Sequence, residues 1–562
     1  MNHADVLYYN GRIYTADKKA PVAEAMAVSK GKIIAVGAGA ELCRTYAAAD
    51  TKVNLAGRFV MPGFIDSHLH PPGLSLLDLF EVNLTKGSSL ADYLAGVKAF
   101  LDAHPHLPVV YGRGWSWAAL TGETASRGPR KEQLDALSAT VPIILRAYDG
   151  HTLWLNSAAF AAFGITADTL SPDGGVIERD PVTGTLWGTL KESAMHLVPL
   201  PDYSVEQYTA ALRLFQEKMH RFGITGILAL SSYTLEKMLT AFCTLEAEGA
   251  LHLHVRAAAT VSPHADLAAQ LDEIERQRAK YQTGLIKLTT AKFFTDGVIE
   301  GGTSHLLAPY EPAVPNELAQ NGPFLWEEAA LRQAFLEANR RGLQIHVHAT
   351  GDGAIRKTLD ALAETAAVQP GDYRNTITHL QLVAEEDLPR FAALGVIANV
   401  QPYWHCKGPG WWDKVDRRLL GKRAEKEFPL GSFFRSGALV ASSSDYHATV
   451  VPNPLLAIDT GVTRNLAAGA PYGLPDITSA NDPACLLDAA ERASLEEMLL
   501  SFTANNAYAL FAEALTGTLA PGKGADFIIL SDDPFQVRTV DLDKLQVLAT
   551  YFQGRCVYRA HA

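Results

Sequence analysis

Five strand-like runs that each end in a residue able to hold or serve a metal constrain this chain more than any other feature. Phe59-Val60-Met61-Pro62-Gly63-Phe64-Ile65-Asp66-Ser67 runs into His68-Leu69-His70. In an extended chain, residues two apart share a face, so both imidazoles can reach one ion. A His-x-His pair alone is common on half-buried strands, and the later runs decide its meaning. Leu285 to Phe294 carries Lys292 and continues into Thr295-Asp296-Gly297. Leu343 to His348 ends in His348, Thr376 to His379 in His379, and the run from Ala438 in Asp445. Five such coincidences are hard to explain as core histidines and turn carboxylates.

A chain of 562 residues is too long for one simple core. It should form a large domain with a smaller one, or a barrel with insertions. At 48% apolar and 20% charged residues, it has the composition of an ordinary globular protein. Lys and Arg total 49 against 61 Asp and Glu, a net charge of -12 with no basic run, which argues against a nucleic-acid partner. The N-terminus has no basic and apolar leader pattern, and no run of about 18 apolar residues follows. A cytoplasmic, non-membrane protein is the expectation. Cys43, Cys243, Cys406, Cys485 and Cys556 are scattered without a C-x-x-C pair, so any metal ligands should be nitrogen and oxygen.

The first 58 residues alternate short β-like runs with turn signals, among them Asn10-Gly11, a hairpin cue. The last stretch is similar, with a turn at Pro521-Gly522-Lys523-Gly524-Ala525-Asp526 before the run Phe527 to Leu530. Neither end could bury an apolar face alone. Residues 1–58 and 516–562 should therefore pair into one small β-sandwich domain. Between them, strands alternate with helices. After a first strand at 59–66 come Ile224–Leu230, Leu253–Thr260, Leu285–Phe294, Leu343–His348, Asn375–His379, Val396–Gln401 and Ala438–Ser444. Helical spacing fills the intervals at Glu206–Phe222, Leu235–Glu248, His264–Tyr281, Glu327–Arg341 and Ala354–Ala366. Eight strands with such helices predict an α/β protein with a parallel (β/α)8 TIM-like barrel over 59–515. Residues 71–203 are too long for one βα unit and carry their own strands at Pro108–Gly112, Pro142–Tyr148 and Gly175–Arg179, with a hairpin at Asp180–Gly184. They read as an insertion over the barrel mouth, where loops shape substrate pockets.

In such a barrel the active site lies at the C-terminal strand ends, where every candidate falls. Imidazole and carboxylate ligands without thiols suit zinc first, with iron, manganese or nickel as alternatives. A hydrolytic site also needs an open or bridging position for water.

These residues resemble the amidohydrolase superfamily, in the branch (amidohydrolase family 3) that holds N-substituted formamide deformylase and the YtcJ-like proteins. The resemblance covers nearly the whole chain. It rests on Pro62 to His70, Asp149-Gly150-His151 with Asn156-Ser157, Lys292 to Gly297, His348-Ala349-Thr350-Gly351-Asp352, Thr378-His379, Ser444-Asp445 and the Pro521 to Asp526 turn. It implies that His68 and His70 hold one divalent metal and that His348 and His379 hold another, two zinc ions per chain. It further implies that Lys292 bridges them as a carbamate formed with carbon dioxide. The modification is required because an ammonium has three donors and no acceptor. Asp445 would ligate the first metal and act as general base for the attacking water.

The implied reaction is hydrolysis of a carbon–nitrogen bond in a small-molecule, non-peptide amide, formamide or carbamate-like substrate. His151, Trp115 and His447 are the candidate substrate contacts, with Trp117, Trp404, Trp411 and Trp412 as further aromatic residues. His346 faces the same way as His348 but lacks the Gly-Asp that follows the family's ligand, so it is expected behind the ligands or in packing. His252 and His254 open a strand rather than end one and are excluded. Read locally, Lys292 could instead be a barrel-wall lysine paired with Asp296 or Glu300, and Asp445 a helix cap or turn residue. Two rival functions are a deaminase and a non-catalytic or regulatory binding protein on the same scaffold. The deaminase pattern needs a glutamate three residues after the fifth-strand histidine, where this chain has Gly351. The non-catalytic reading expects lost ligands, and none is missing. The sequence leaves the oligomeric state open, a homodimer included.

Overall fold

The structure, a computed structural model, describes residues 3–122, 124–147, 152–172, 175–199, 201–231, 234–311 and 320–561. The described chain forms two compact units, one ending at Gly73 and resuming at Leu212, the other spanning Leu74–Ala211.

The first unit is built on an eight-stranded parallel sheet in sequential order. Its strands are β1 (Phe64–Leu69), β2 (Ile224–Ser231), β3 (His254–Thr260), β4 (Ile286–Phe294), β5 (Gln344–Ala349), β6 (Thr376–His379), β7 (Ile397–Val400) and β8 (Val440–Ser442). Helices cover the outer face of a parallel barrel's wall and the strands' own side chains fill its interior, so the strands are rich in apolar residues on both sides. Every residue of Ile224–Leu230 in β2 is buried. The helices α1 (Val205–Arg221), α2 (Leu235–Ala247), α3 (Leu267–Tyr281), α4 (Glu328–Arg340) and α5 (Asp352–Val368) fill the intervals that sequence periodicity assigned to helix.

β8 and β1 share no backbone ladder among the described residues; side chains close that seam. Ser67 Oγ donates to Ser442 O at 3.0 Å, and Asn506 Nδ2 donates to both Ser442 O and Ile65 O. Ile65 N donates to Phe502 O at 2.8 Å, so the segment after β8 completes the wall.

The expected first strand at 59–66 is in fact two strands. Phe59–Pro62 joins a six-stranded sheet with Arg12–Tyr14, Val22–Ala23, Phe527–Leu530, Val547–Phe552 and Arg555–Arg559, and β1 begins only after Gly63. A Cβ on Gly63 would lie 2.4 Å from Thr225 Oγ1, so this crossing from one sheet to the other requires glycine. A four-stranded sheet of N-terminal residues shares a core with the six-stranded one, in which Tyr8, Met26 and Ile33 meet Phe527, Ile529 and Tyr551. Residues from both ends of the chain thus make one sandwich core.

The second unit carries a six-stranded sheet. The expected strands appear as Val110–Trp115, Ile143–Ala147 and Gly175–Arg179, and the expected hairpin joins Gly175–Arg179 to Leu186–Glu192. Among the described residues, no helix is long and apolar enough to cross a membrane.

Candidate metal centre

β1 delivers His68 and His70 to its C-terminal end, and the turn after β8 brings Asp445 against them. Asp445 Oδ1 lies 3.5 Å from His68 Nε2 and 3.2 Å from His70 Nε2. One ligand atom from each of the three falls within 4.8 Å of the others, close enough to share an ion. Asp66 sets this junction from below: its carboxylate accepts from Ser444 N at 3.1 Å and from His68 N at 3.2 Å. Burial raises its pKa to about 7, with the backbone donors pulling the other way. Asp445 N donates to His68 O at 2.8 Å, which ties the two strand ends together.

Ladder register carries the rest of the set to the same end of the barrel. Lys292 pairs with His346, Phe294 with His348 and Ala349 with His379. Lys292 is 2% exposed, and its Nζ has no hydrogen-bond partner among the described residues. The pairings with Asp296 or Glu300 that a barrel-wall lysine would make are therefore absent. Asp296 instead accepts from Gly351 N at 2.9 Å, His305 N at 3.0 Å and Thr350 N at 3.1 Å, which locks the loops after β4 and β5 together. A Cβ on Gly351 would lie 2.2 Å from His305 O, so that interlock also explains the glycine of the Gly-Asp pair. Burial lowers the Lys292 pKa to about 7, which makes much of the amine neutral and nucleophilic. A buried amine with no acceptor is costly and calls for a partner that the described residues do not supply beyond the Phe294 ring at 4.9 Å.

His348 and His379 stand side by side, their ring centroids 4.5 Å apart, and His379 is 5.1 Å from His68. Burial lowers the pKa of His348 to about 4 and those of His68, His346 and His379 well below the usual imidazole value. Neutral imidazoles are what metal binding requires. His348 Nε2 lies 2.8 Å from Gly297 O, an acceptor only, so Nε2 carries the proton and Nδ1 keeps its lone pair. His68 Nδ1 contacts His346 Nε2 at 2.8 Å. His346 therefore stands behind His68, a candidate ligand.

Among the substrate candidates, His447 is exposed and edge-on to His70 with 5.8 Å between centroids. His151 lies outside the described residues. Trp115 needs correction. It is 0% exposed in the core of the second unit, with Nε1 donating to Leu145 O at 3.0 Å, so no face is left for substrate. A tryptophan anchoring a core and one lining a pocket look alike in sequence. Trp404, by contrast, lies half-buried and nearly parallel to His379 at 6.0 Å. The excluded His254 opens β3 and binds Asp526 Oδ2 at 2.8 Å.

Sequence reasoning missed Asn399 and Gln401. Both are buried, and they alternate along the apolar run that forms β7. Amides at spacing two in such a strand point into the barrel and were the available signal.

The profile of the amidohydrolase family matches residues 51–558. Protein LONG AFTER FAR-RED 3 of Arabidopsis thaliana is 31% identical over 99% of this chain and 92% of its own. N-substituted formamide deformylase of Arthrobacter pascens is 26% identical over 98% of this chain and 97% of its own. The crystal structure of an uncharacterized metal-dependent hydrolase from Pyrococcus horikoshii superposes with a TM-score of 0.72 at 24% identity, over 95% of this chain and 99% of that one.

Proposed function

Because the chain belongs to the amidohydrolase family, we propose that it is a metal-dependent hydrolase of carbon–nitrogen bonds in small non-peptide amides, formamides or carbamate-like compounds. The donor set fits the metal. Imidazole nitrogens and a carboxylate converge without thiols, and the orphaned Nζ of Lys292 is the single observation that carries the reading. His68, His70 and Asp445 would hold one zinc-type ion. Nδ1 of His348 and Nε2 of His379 would hold a second. Neutral Lys292 would add to carbon dioxide through Nζ, losing a proton as the N–C bond forms, and the resulting carbamate, one negative charge shared over two oxygens, would supply the acceptor that an ammonium lacks. A bound divalent ion supplies Lewis acidity that lowers the pKa of water from about 15.7 to 7 and polarises the scissile carbonyl. Asp445 takes the proton of the attacking water at its free carboxylate oxygen and returns it to the leaving nitrogen. Trp404 and the exposed His447 flank this centre as substrate contacts.

The substrate class draws support from the deformylase relative named above. A regulatory, non-catalytic role is disfavoured because all six ligand positions are retained. With Phe59–Pro62 in the terminal sheet, we further propose that residues 1–62 and 516–562 act as one β domain on a barrel that begins at Phe64. A cytoplasmic setting suits five free cysteines.

The test is Lys292→Ala, assayed for metal content and for hydrolysis of a panel of N-acyl and N-formyl amines. The wild type should carry close to two ions per chain and hydrolyse members of the panel. The variant should stay folded, lose one or both ions and lose activity, with partial recovery in short carboxylic acids. Wild-type metal content and activity in Lys292→Ala would overturn the proposal.

A further inference from the structure

A series of hydrogen bonds starts at one main-chain carbonyl beneath the metal centre, and its direction can be followed proton by proton. The carbonyl of Ser442 can only accept, so Ser67 Oγ donates its single proton there, at 3.0 Å. Ser67 Oγ must then accept from Asn399, which places the amide nitrogen of Asn399 on that side at 2.7 Å. The oxygen of Asn399 therefore faces the other way. It accepts from Thr378 Oγ1 at 2.8 Å, Ser443 Oγ at 2.9 Å and Gln401 Nε2 at 3.0 Å. Ser443, its proton already committed, accepts from Gln401 Nε2 at 2.8 Å. Gln401 has no choice of orientation left, and its Oε1 is turned to His379 Nδ1 at 3.0 Å. An amide oxygen cannot donate, so Nδ1 of His379 carries the proton and Nε2 keeps the lone pair.

We propose that Gln401 is a positioning residue for the metal centre: held in one orientation by Asn399 and Ser443, it fixes the His379 tautomer that leaves Nε2 available as a ligand. The proposal rests on the metal site argued above. Every member of the series is buried, so exchange with water does not scramble the directions. The β6 strand ends at His379 with φ 78° and Leu380 with φ 53°, and the Gln401 bond is what fixes the ring at this strained strand end.

The experiment titrates metal-free protein with zinc against a chelating dye, in the wild type and in Gln401→Leu, Gln401→Glu and Ser443→Ala. Zinc uptake by the wild type tests the site itself. If the wild type takes up none, the metal-site reading fails before Gln401 comes into question. Given uptake, Gln401→Leu should weaken the site of His348 and His379 by about 10- to 100-fold. The site of His68, His70 and Asp445 should stay within about threefold in the same variant. Gln401→Glu keeps an acceptor at Nδ1 and should restore affinity, as carboxylate–histidine–metal arrangements do. Ser443→Ala removes one of the two groups that orient the Gln401 amide and should weaken the same site, by less than Gln401→Leu does, with the site of His68, His70 and Asp445 within about threefold of wild type. Unchanged affinity in folded Gln401→Leu, or equal losses in Gln401→Leu and Gln401→Glu, would overturn the proposal.

Discussion

Asp445 sits at φ 52°, in the left-handed region, where a carboxylate-bearing residue is tolerated better than a bulky one. Its own backbone holds it there, through Asp445 N to His68 O at 2.8 Å and Ala448 N to Asp445 O at 2.7 Å. The turn therefore survives a change of side chain that keeps the same local preferences. Asp445→Asn is that change, because asparagine accepts the conformation and retains an oxygen ligand while losing the base. Turnover should fall by at least about a hundredfold, within the range for removal of a general base, with metal content unchanged. Activity within a few-fold of wild type, at full metal content, would return Asp445 to the turn role that its sequence context also allowed.

At the scale of elements, the joint between β8 and β1 matters most, because it brings Asp445 to His68 and His70. Asn506 bridges Ile65 O and Ser442 O across it, and Asn505 Nδ2 adds a bond to Val440 O at 2.9 Å. Asn506→Ala leaves two buried carbonyls without that donor and should cost about 2–4 kcal/mol in urea unfolding. It should also loosen zinc at His68, His70 and Asp445 more than at His348 and His379. A cost below about 0.5 kcal/mol would mean that backbone contacts alone close the barrel. The eight strands were legible because apolar runs bounded by helical periods are a one-dimensional signal, and the convergence of the candidate ligands because they fall at strand ends on one side of the sheet. The seam residues were not legible, since Asn505 and Asn506 sit in an ordinary helical stretch, Ala504–Ala509. The break at Gly63 was hidden for a related reason: Phe59 to Leu69 is apolar enough to read as one strand, and only Thr225 pressing on Gly63 marks the division. Thr152–Leu155 and Leu186–Glu192 escaped notice beside short turns, and their pairing is visible only in the folded sheet. Trp115 shows the same limit for a single side chain, since burial is decided by what folds over it.

Across the whole molecule, Asp526 links the terminal sheets to the barrel end opposite the metal centre, accepting from Gln553 N at 2.7 Å and contacting His254 Nε2 at 2.8 Å. This gives the Asp of the Pro-Gly-Lys-Gly-Ala-Asp turn a structural task and leaves the charge problem at the other end of the barrel to Lys292. Lys292 titrates near 7 in the folded chain, against about 10.4 for an unhindered lysine, because burial disfavours the ammonium. Between these values the unfolded chain holds one proton that the folded chain lacks, so stability rises with pH across the window and the penalty is complete below 7. Asp66 and Asp296, both raised to about 7 by burial, act with the opposite sign between pH 4 and 7, and Asp459, raised to about 8, carries that contribution to about pH 8, so the lysine is isolated by comparison with a variant that lacks it. The measurement is urea unfolding of metal-free protein in carbon-dioxide-free buffer from pH 7.5 to 10, for wild type and Lys292→Met. Taking the difference cancels the tyrosines and cysteines that also titrate near the upper end. The variant should be the more stable at pH 7.5, and its advantage should shrink by up to about 1.4 kcal/mol per pH unit as pH rises. A difference that stays flat across the range would mean that Lys292 is charged and paired in the folded chain, and it would remove the neutral amine on which carbamate formation depends.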